Sequence, residues 1–149
     1  MNAYVAMKKR HQKEVDSFPI YFAFSNEQFE KIMERLGLSG DKRSENYYGK
    51  RLVKIGAGGF VLKEDSSKFV DMFKRHKKEL DSMIADDKTG EGFIYQMFRY
   101  ELNNHEYGYT GETEDTLEAL GFSQEQIEAD PRLSAGLELA CRSIEEAEW

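Results

Sequence analysis

Phe93, Ile94, Met97, Phe98 and Leu102 recur at a spacing that a helix gathers on one side, leaving that side nearly apolar. Such a helix belongs at the centre of a core, covered by the other elements of the chain. The covers come in short pieces cut by strong stop signals. The chain has 149 residues, 40% of them apolar and 13% aromatic, enough to pack one domain over 1–149. No apolar run approaches the roughly 20 residues of a membrane span. The first charges, Lys8-Lys9-Arg10, follow the apolar start, the reverse of a signal peptide, so a cytoplasmic location is expected.

The pieces read as follows. Residues 3–16 form a helix with Tyr4, Val5, His11, Val15 and then Phe18 near one side, ended by Pro19. Ile20–Phe24 alternates as a strand, with Ile20, Phe22 and Phe24 on one face. Ser25 and Gln28 have capping-box spacing before a helix that carries Phe29, Ile32, Met33 and Leu36 and stops at Gly37. A polar loop over 38–49 leads to strands 51–55 and 60–62, joined at Gly56-Ala57-Gly58-Gly59. A long helix from Asp65 or Ser66 to about Ile84 bears Phe69, Phe73, His76, Leu80 and Met83. Past the central helix, Thr113 caps a short helix closing at Gly121, and Ser123 with Gln126 boxes another. Asp130-Pro131 opens the last, whose inward residues are Leu133, Leu137, Ala140, Cys141 and Ile144. The expected class is α+β: helices packed around a small antiparallel sheet containing a Gly-rich hairpin.

Motifs with chemistry are few. The glycine-rich turn lacks the third glycine of a dinucleotide loop, having Val61 there, and runs into a strand. From Asp87 the chain mimics a calcium loop through Thr89, Glu91, Gly92 and Ile94, but Phe98 stands where the bidentate glutamate is needed. Glu101, His105 and Glu106 lie near one another in sequence without the paired histidines of a zinc site. His76, in its helix stripe, reads as a hydrogen-bonded boundary residue. Cys141, the sole cysteine, reads as a buried structural thiol. Neither a cofactor nor a metal is expected, and no catalytic role.

Charge carries more. Residues 1–82 hold 17 Lys and Arg against 12 Asp and Glu, whereas 83–149 hold 4 against 16. The segment 105–130 has eight carboxylates and no lysine or arginine. Such a stretch repels nucleic acid and suits a basic protein surface; it is equally the composition of solvated helix faces. Tyr107 and Tyr109, beside Gly108 and Gly111, either anchor an interface or fold back to cap the core. The clusters Lys8-Lys9-Arg10-His11-Gln12-Lys13 and Lys74-Arg75-His76-Lys77-Lys78 lack interleaved aromatics, which argues against direct nucleic-acid binding.

Four segments together resemble an uncharacterised family of small proteins carried on conjugative elements, phages and plasmids of gut bacteria. They are Arg10–Val15, Gly56–Phe60, Thr89–Tyr95 and the specific run Asn104–Leu117. The similarity covers nearly the whole chain and brings no functional residue with it. It implies a setting in which small acidic proteins act as anti-defence factors of anti-CRISPR or anti-restriction type. The expectation is a non-catalytic, protein-binding inhibitor of a host defence nuclease such as a CRISPR nuclease. The residues expected to meet the partner are Tyr107, Tyr109, Glu112, Glu114, Asp115, Glu118, Glu125 and Glu128. The alternative is a regulatory protein of the mobile element touching DNA or RNA through its basic N-terminal helix. Neither needs a metal: thermal melting with and without excess chelator is expected to coincide, and a large drop on chelation would restore the metal reading.

Overall fold

The computed structural model describes residues 2–147. Helices dominate, with one small antiparallel sheet, so the fold is α+β. The chain divides into two compact units, one of Met1–Lys13 with Lys78–Trp149 and one of Glu14–Lys77. The boundaries fall within α1 (Ala3–Ser17) and α4 (Ser66–Asp86).

In the smaller unit, β1 (Tyr21–Phe22), β2 (Leu52–Gly56) and β3 (Gly59–Leu62) form a sheet of order β1-β3-β2. Leu52 faces Leu62, Val53 faces Val61 and Lys54 faces Phe60. Ala57 (φ 49°) and Gly58 (φ 77°) both take left-handed conformations, as the tight turn of a two-residue hairpin requires. The expected strand 20–24 shrinks to two residues. After Phe22 pairs with Gly59, the backbone N–H of Phe24 turns away to the Gln28 side chain (2.7 Å). Phe22 and Phe24 therefore do not form a buried face: they stack on each other, 53% and 74% exposed. Ser25 accepts from Gln28 N as expected, but Gln28 reaches Phe24 rather than Ser25. α2 (Asn26–Leu36) stops at the left-handed Gly37. The polar loop contains an unexpected one-turn helix, α3 (Tyr48–Arg51), which takes Arg51 out of the strand. On α4 the fully buried residue of this unit is Met72, one position from the expected Phe73, which is 43% exposed.

The larger unit is built on α5 (Phe93–Asn104), where Ile94, Met97, Phe98 and Leu102 have no exposure at all. Around it lie Tyr4 and Met7 of α1 and Tyr107 of α6 (Tyr107–Thr110). Leu117 of α7 (Glu114–Leu120) and Ile127 of α8 (Gln124–Ala129) continue the cover, and Leu133, Ala140 and Ile144 of α9 (Pro131–Ala147) complete it. α1 thus buries Tyr4 and Met7, not the wider stripe through Val15 that its sequence suggests. The capping box of α8 is complete: Ser123 accepts from Gln126 N, and Gln126 accepts from Ser123 N at 2.8 Å. Thr113, by contrast, does not cap α7 with its side chain. Its backbone is already helical (φ −104°, ψ −11°), whereas a capping side chain needs the extended conformation.

Gly136 sets how closely α9 approaches the start of α5. A Cβ there would lie 2.6 Å from the carbonyl oxygen of Gly90 and 2.6 Å from Ile94 Cγ2. The backbone oxygen cannot step aside cheaply, so the propensity gained by alanine in a helix is outweighed. Gly136→Ala is expected to destabilise by about 1–3 kcal/mol, and Gly40→Ala, in open space, to be near neutral. Urea denaturation of the two variants checks this.

Candidate functional site

The acidic stretch is held by three short helices that each bury one side in the same core cluster: Tyr107 from α6, Leu117 from α7 and Ile127 from α8. α6 starts after Glu106 in the left-handed conformation and ends at left-handed Gly111. On α7, Thr116 and Leu117 point inward, and Thr116 Oγ1 lies 3.5 Å from the carbonyl oxygen of Glu101. The remaining positions then face solvent. Glu112, Glu114, Asp115, Glu118, Glu125 and Glu128 are all exposed, and among the described residues none of the six is in an ion pair. Glu114 and Asp115 also sit in the first turn of α7, where the helix dipole favours carboxylates.

The two tyrosines part company. Tyr109 is 92% exposed, whereas Tyr107 is 7% exposed and donates its hydroxyl to Glu145 Oε1 at 2.5 Å. That bond, with a further one to Cys141 and burial, pushes the Tyr107 hydroxyl's pKa well above its ordinary value. Tyr107 therefore caps the core and is not an exposed anchor for a partner. A tyrosine in sequence looks the same in both roles; what separates them is that Tyr107 opens a helical turn against α9 while Tyr109 lies on its outer side.

The basic N-terminal helix is partly spent on its own unit. Lys8 Nζ lies 3.2 Å from Glu101 Oε1, which also accepts from the Tyr4 hydroxyl at 3.1 Å. Burial, then Glu101, raises the pKa of Tyr4. Arg10 grips Glu79 with both terminal nitrogens, at 2.7 and 3.3 Å, and His11 Nε2 lies 2.7 Å from the same carboxylate. In the smaller unit Arg75 pairs with Glu14 and holds that carboxyl below its usual pKa.

The near-miss motifs resolve structurally. The Asp87 carboxylate accepts from the backbone N–H groups of Thr89, Gly90, Gly92 and Ile94, so it closes the start of α5. Burial raises its pKa, but those four donors outweigh burial and hold it low. Glu101 lies 4.0 Å from His105 Nε2 but is turned to Tyr4 and Lys8, and the described residues hold no group of three metal-ligating side chains. His76 Nε2 lies 3.5 Å from Glu14 Oε1. Burial raises the Cys141 pKa, which leaves it a poor nucleophile.

In the smaller unit Phe24, Phe29, Tyr48, Leu52, Lys54 and Phe60 line an open cleft of about 480 Å³. Phe29 holds Tyr48 edge-on (5.1 Å, 87°) and Phe60 at a tilt (5.4 Å, 44°). The available signal was the alternation of Leu52 and Lys54 opposite Phe60; the wall supplied by Tyr48 was hidden in a stretch read as loop.

The Arg10 and His11 bonds hold the Glu79 pKa down at about 2. A carboxylate depressed on folding adds stability above its unfolded pKa, and that stability is lost as pH falls through the folded value. Unfolding free energy should therefore decline between about pH 4.5 and pH 2, and Glu79→Gln should be less stable at neutral pH with a flatter acid limb. Chemical denaturation across that range measures both.

No curated protein and no solved structure matches the chain. A family profile does, over residues 3–143, and its own description is a family of unknown function. The chain belongs to that family, DUF7659.

Proposed function

We propose that this protein is a non-catalytic binding factor that presents α7 and α8, with Tyr109 before them, to a basic surface on another protein. The observation that carries this reading is the set of six exposed carboxylates with no ion-pair partner among the described residues, beside a tyrosine 92% exposed. Unpaired charge of one sign steers an opposite surface into contact, and an exposed ring supplies contact area that charge does not. A nucleic-acid-binding groove is a basic protein surface of fixed shape that an acidic face can complement. The partner proposed is accordingly a host defence nuclease of CRISPR type, and the setting proposed is a mobile element. The alternative, contact with DNA or RNA through the N-terminal helix, is disfavoured because Lys8 and Arg10 are already paired with Glu101 and Glu79.

Lysine substitution of Glu112, Glu114, Asp115 and Glu118 leaves the buried sides of α7 and α8 intact. The variant should associate with an RNA-guided nuclease at least about tenfold more slowly, with a weaker dependence on salt. Surface plasmon resonance over a salt series, beside a DNA-cleavage assay, measures this. Unchanged inhibition by the variant would make these carboxylates solvated surface and end the proposal. Sub-micromolar binding of labelled duplex DNA at physiological salt would instead favour the alternative.

A further inference from the structure

The aromatic cleft of the smaller unit is independent of the acidic helices and has its own chemistry. Its volume of about 480 Å³ falls in the range of small-molecule sites. The walls are pre-ordered, because Phe29 is fixed between Tyr48 and Phe60 by ring contacts of 5.1 and 5.4 Å. The sheet register places Lys54 directly opposite Phe60, so ammonium and ring share one face of the sheet. Lys54 is exposed and, among the described residues, has no ion pair. No carboxylate lines the cleft, although the chain carries 28 of them.

These features select a ligand. Ring faces and edges at this spacing accept a planar ring by offset or edge-on packing. Aromatic walls also attract cations, but the ammonium of Lys54 opposes a cation and attracts an acid group. We propose that the cleft binds a small planar aromatic anion, its ring packed against Phe29, Tyr48 and Phe60 and its acid group on Lys54. Two sources share that chemistry: an aromatic carboxylate and a nucleoside monophosphate.

Calorimetric titration of the full chain with indole-3-acetate and with adenosine monophosphate separates them, with neutral indole and cationic tryptamine as controls. At least one of the anions should bind, about tenfold more tightly than indole, since a hydrogen bond to a charged group is worth that factor. Lys54→Gln should lower that affinity about tenfold without moving the melting temperature, and Lys54→Arg should keep most of it. Amide shifts at Phe29, Tyr48 and Lys54 should mark the site by NMR. Whichever anion binds identifies the source. The proposal is overturned if neither binds at millimolar concentration, if indole or tryptamine binds as tightly, or if Lys54→Gln leaves binding unchanged.

Discussion

The larger unit depends on a junction where Asp87 and Arg132 satisfy the ends of three helices. The opening of α5 exposes backbone N–H groups at the edge of an apolar core, where an unmet donor costs about 1–3 kcal/mol. The Asp87 carboxylate takes the Ile94 N–H in the first turn of α5 and, in the loop leading into it, those of Thr89, Gly90 and Gly92. Arg132 answers from the other side. One terminal nitrogen donates to the carbonyls of Ile84 and Asp87 at the end of α4, and the other to Asp130, which precedes α9. A carboxylate at a helix start and a guanidinium at a helix end each match the local dipole. Gly90, at φ +86°, lets α9 lie against this turn: a Cβ there would stand 2.1 Å from the Arg132 carbonyl oxygen.

Once α5 is fixed, it decides what the acidic helices show. α9 covers most of the completely buried stripe of α5, α6 and α7 cover more of it and α8 packs on α9, so these three short helices contribute by each turning their few apolar residues inward. Leu117 and Ile127 point inward, so the carboxylates at the intervening positions have nowhere to go but solvent. The exposed charge is thus a geometrical consequence of a core made from very short helices. Tyr107 belongs to the same economy, filling the end of the core and bonding Glu145.

Much of this was legible in the chain. The central helix, the hairpin, the stops at Gly37 and Gly121 and the Ser123 box follow from local chemistry, and the structure has them. The misses share a cause: they depend on partners distant in sequence. The strand at 20–24 ends early because, after Ala23 N–H bonds the Gly58 carbonyl in the hairpin turn, Phe24 N–H turns to the Gln28 side chain. Periodicity on α4 picks Phe73, but the buried position is Met72. Gly136 carries no local signal in the sequence; the carbonyl of Gly90 beside it is what excludes a side chain there. The carboxylates are exposed, as both a partner-binding face and a solvated helix face require, whereas the roles of Tyr107 and Tyr109 are separated only by packing, and the cleft needs Tyr48 brought beside Phe29.

The ion pairs bear on how net charge should be weighed. A chain of net charge −7 with two basic clusters suggests opposing surfaces that offset each other. Yet Lys8, Arg10 and Arg75 each stand within bonding distance of a carboxylate. A closed pair is a dipole whose field falls off faster than that of a free charge, and salt screens what remains beyond about 8–10 Å. An approaching molecule therefore senses less of the N-terminal cluster than its sequence suggests. Glu112 and the five carboxylates of α7 and α8 are in no ion pair among the described residues, and these six within 17 residues act together. Net charge understates this region because it counts neutralised and free groups alike; the pairing pattern is the better guide to what the protein attracts.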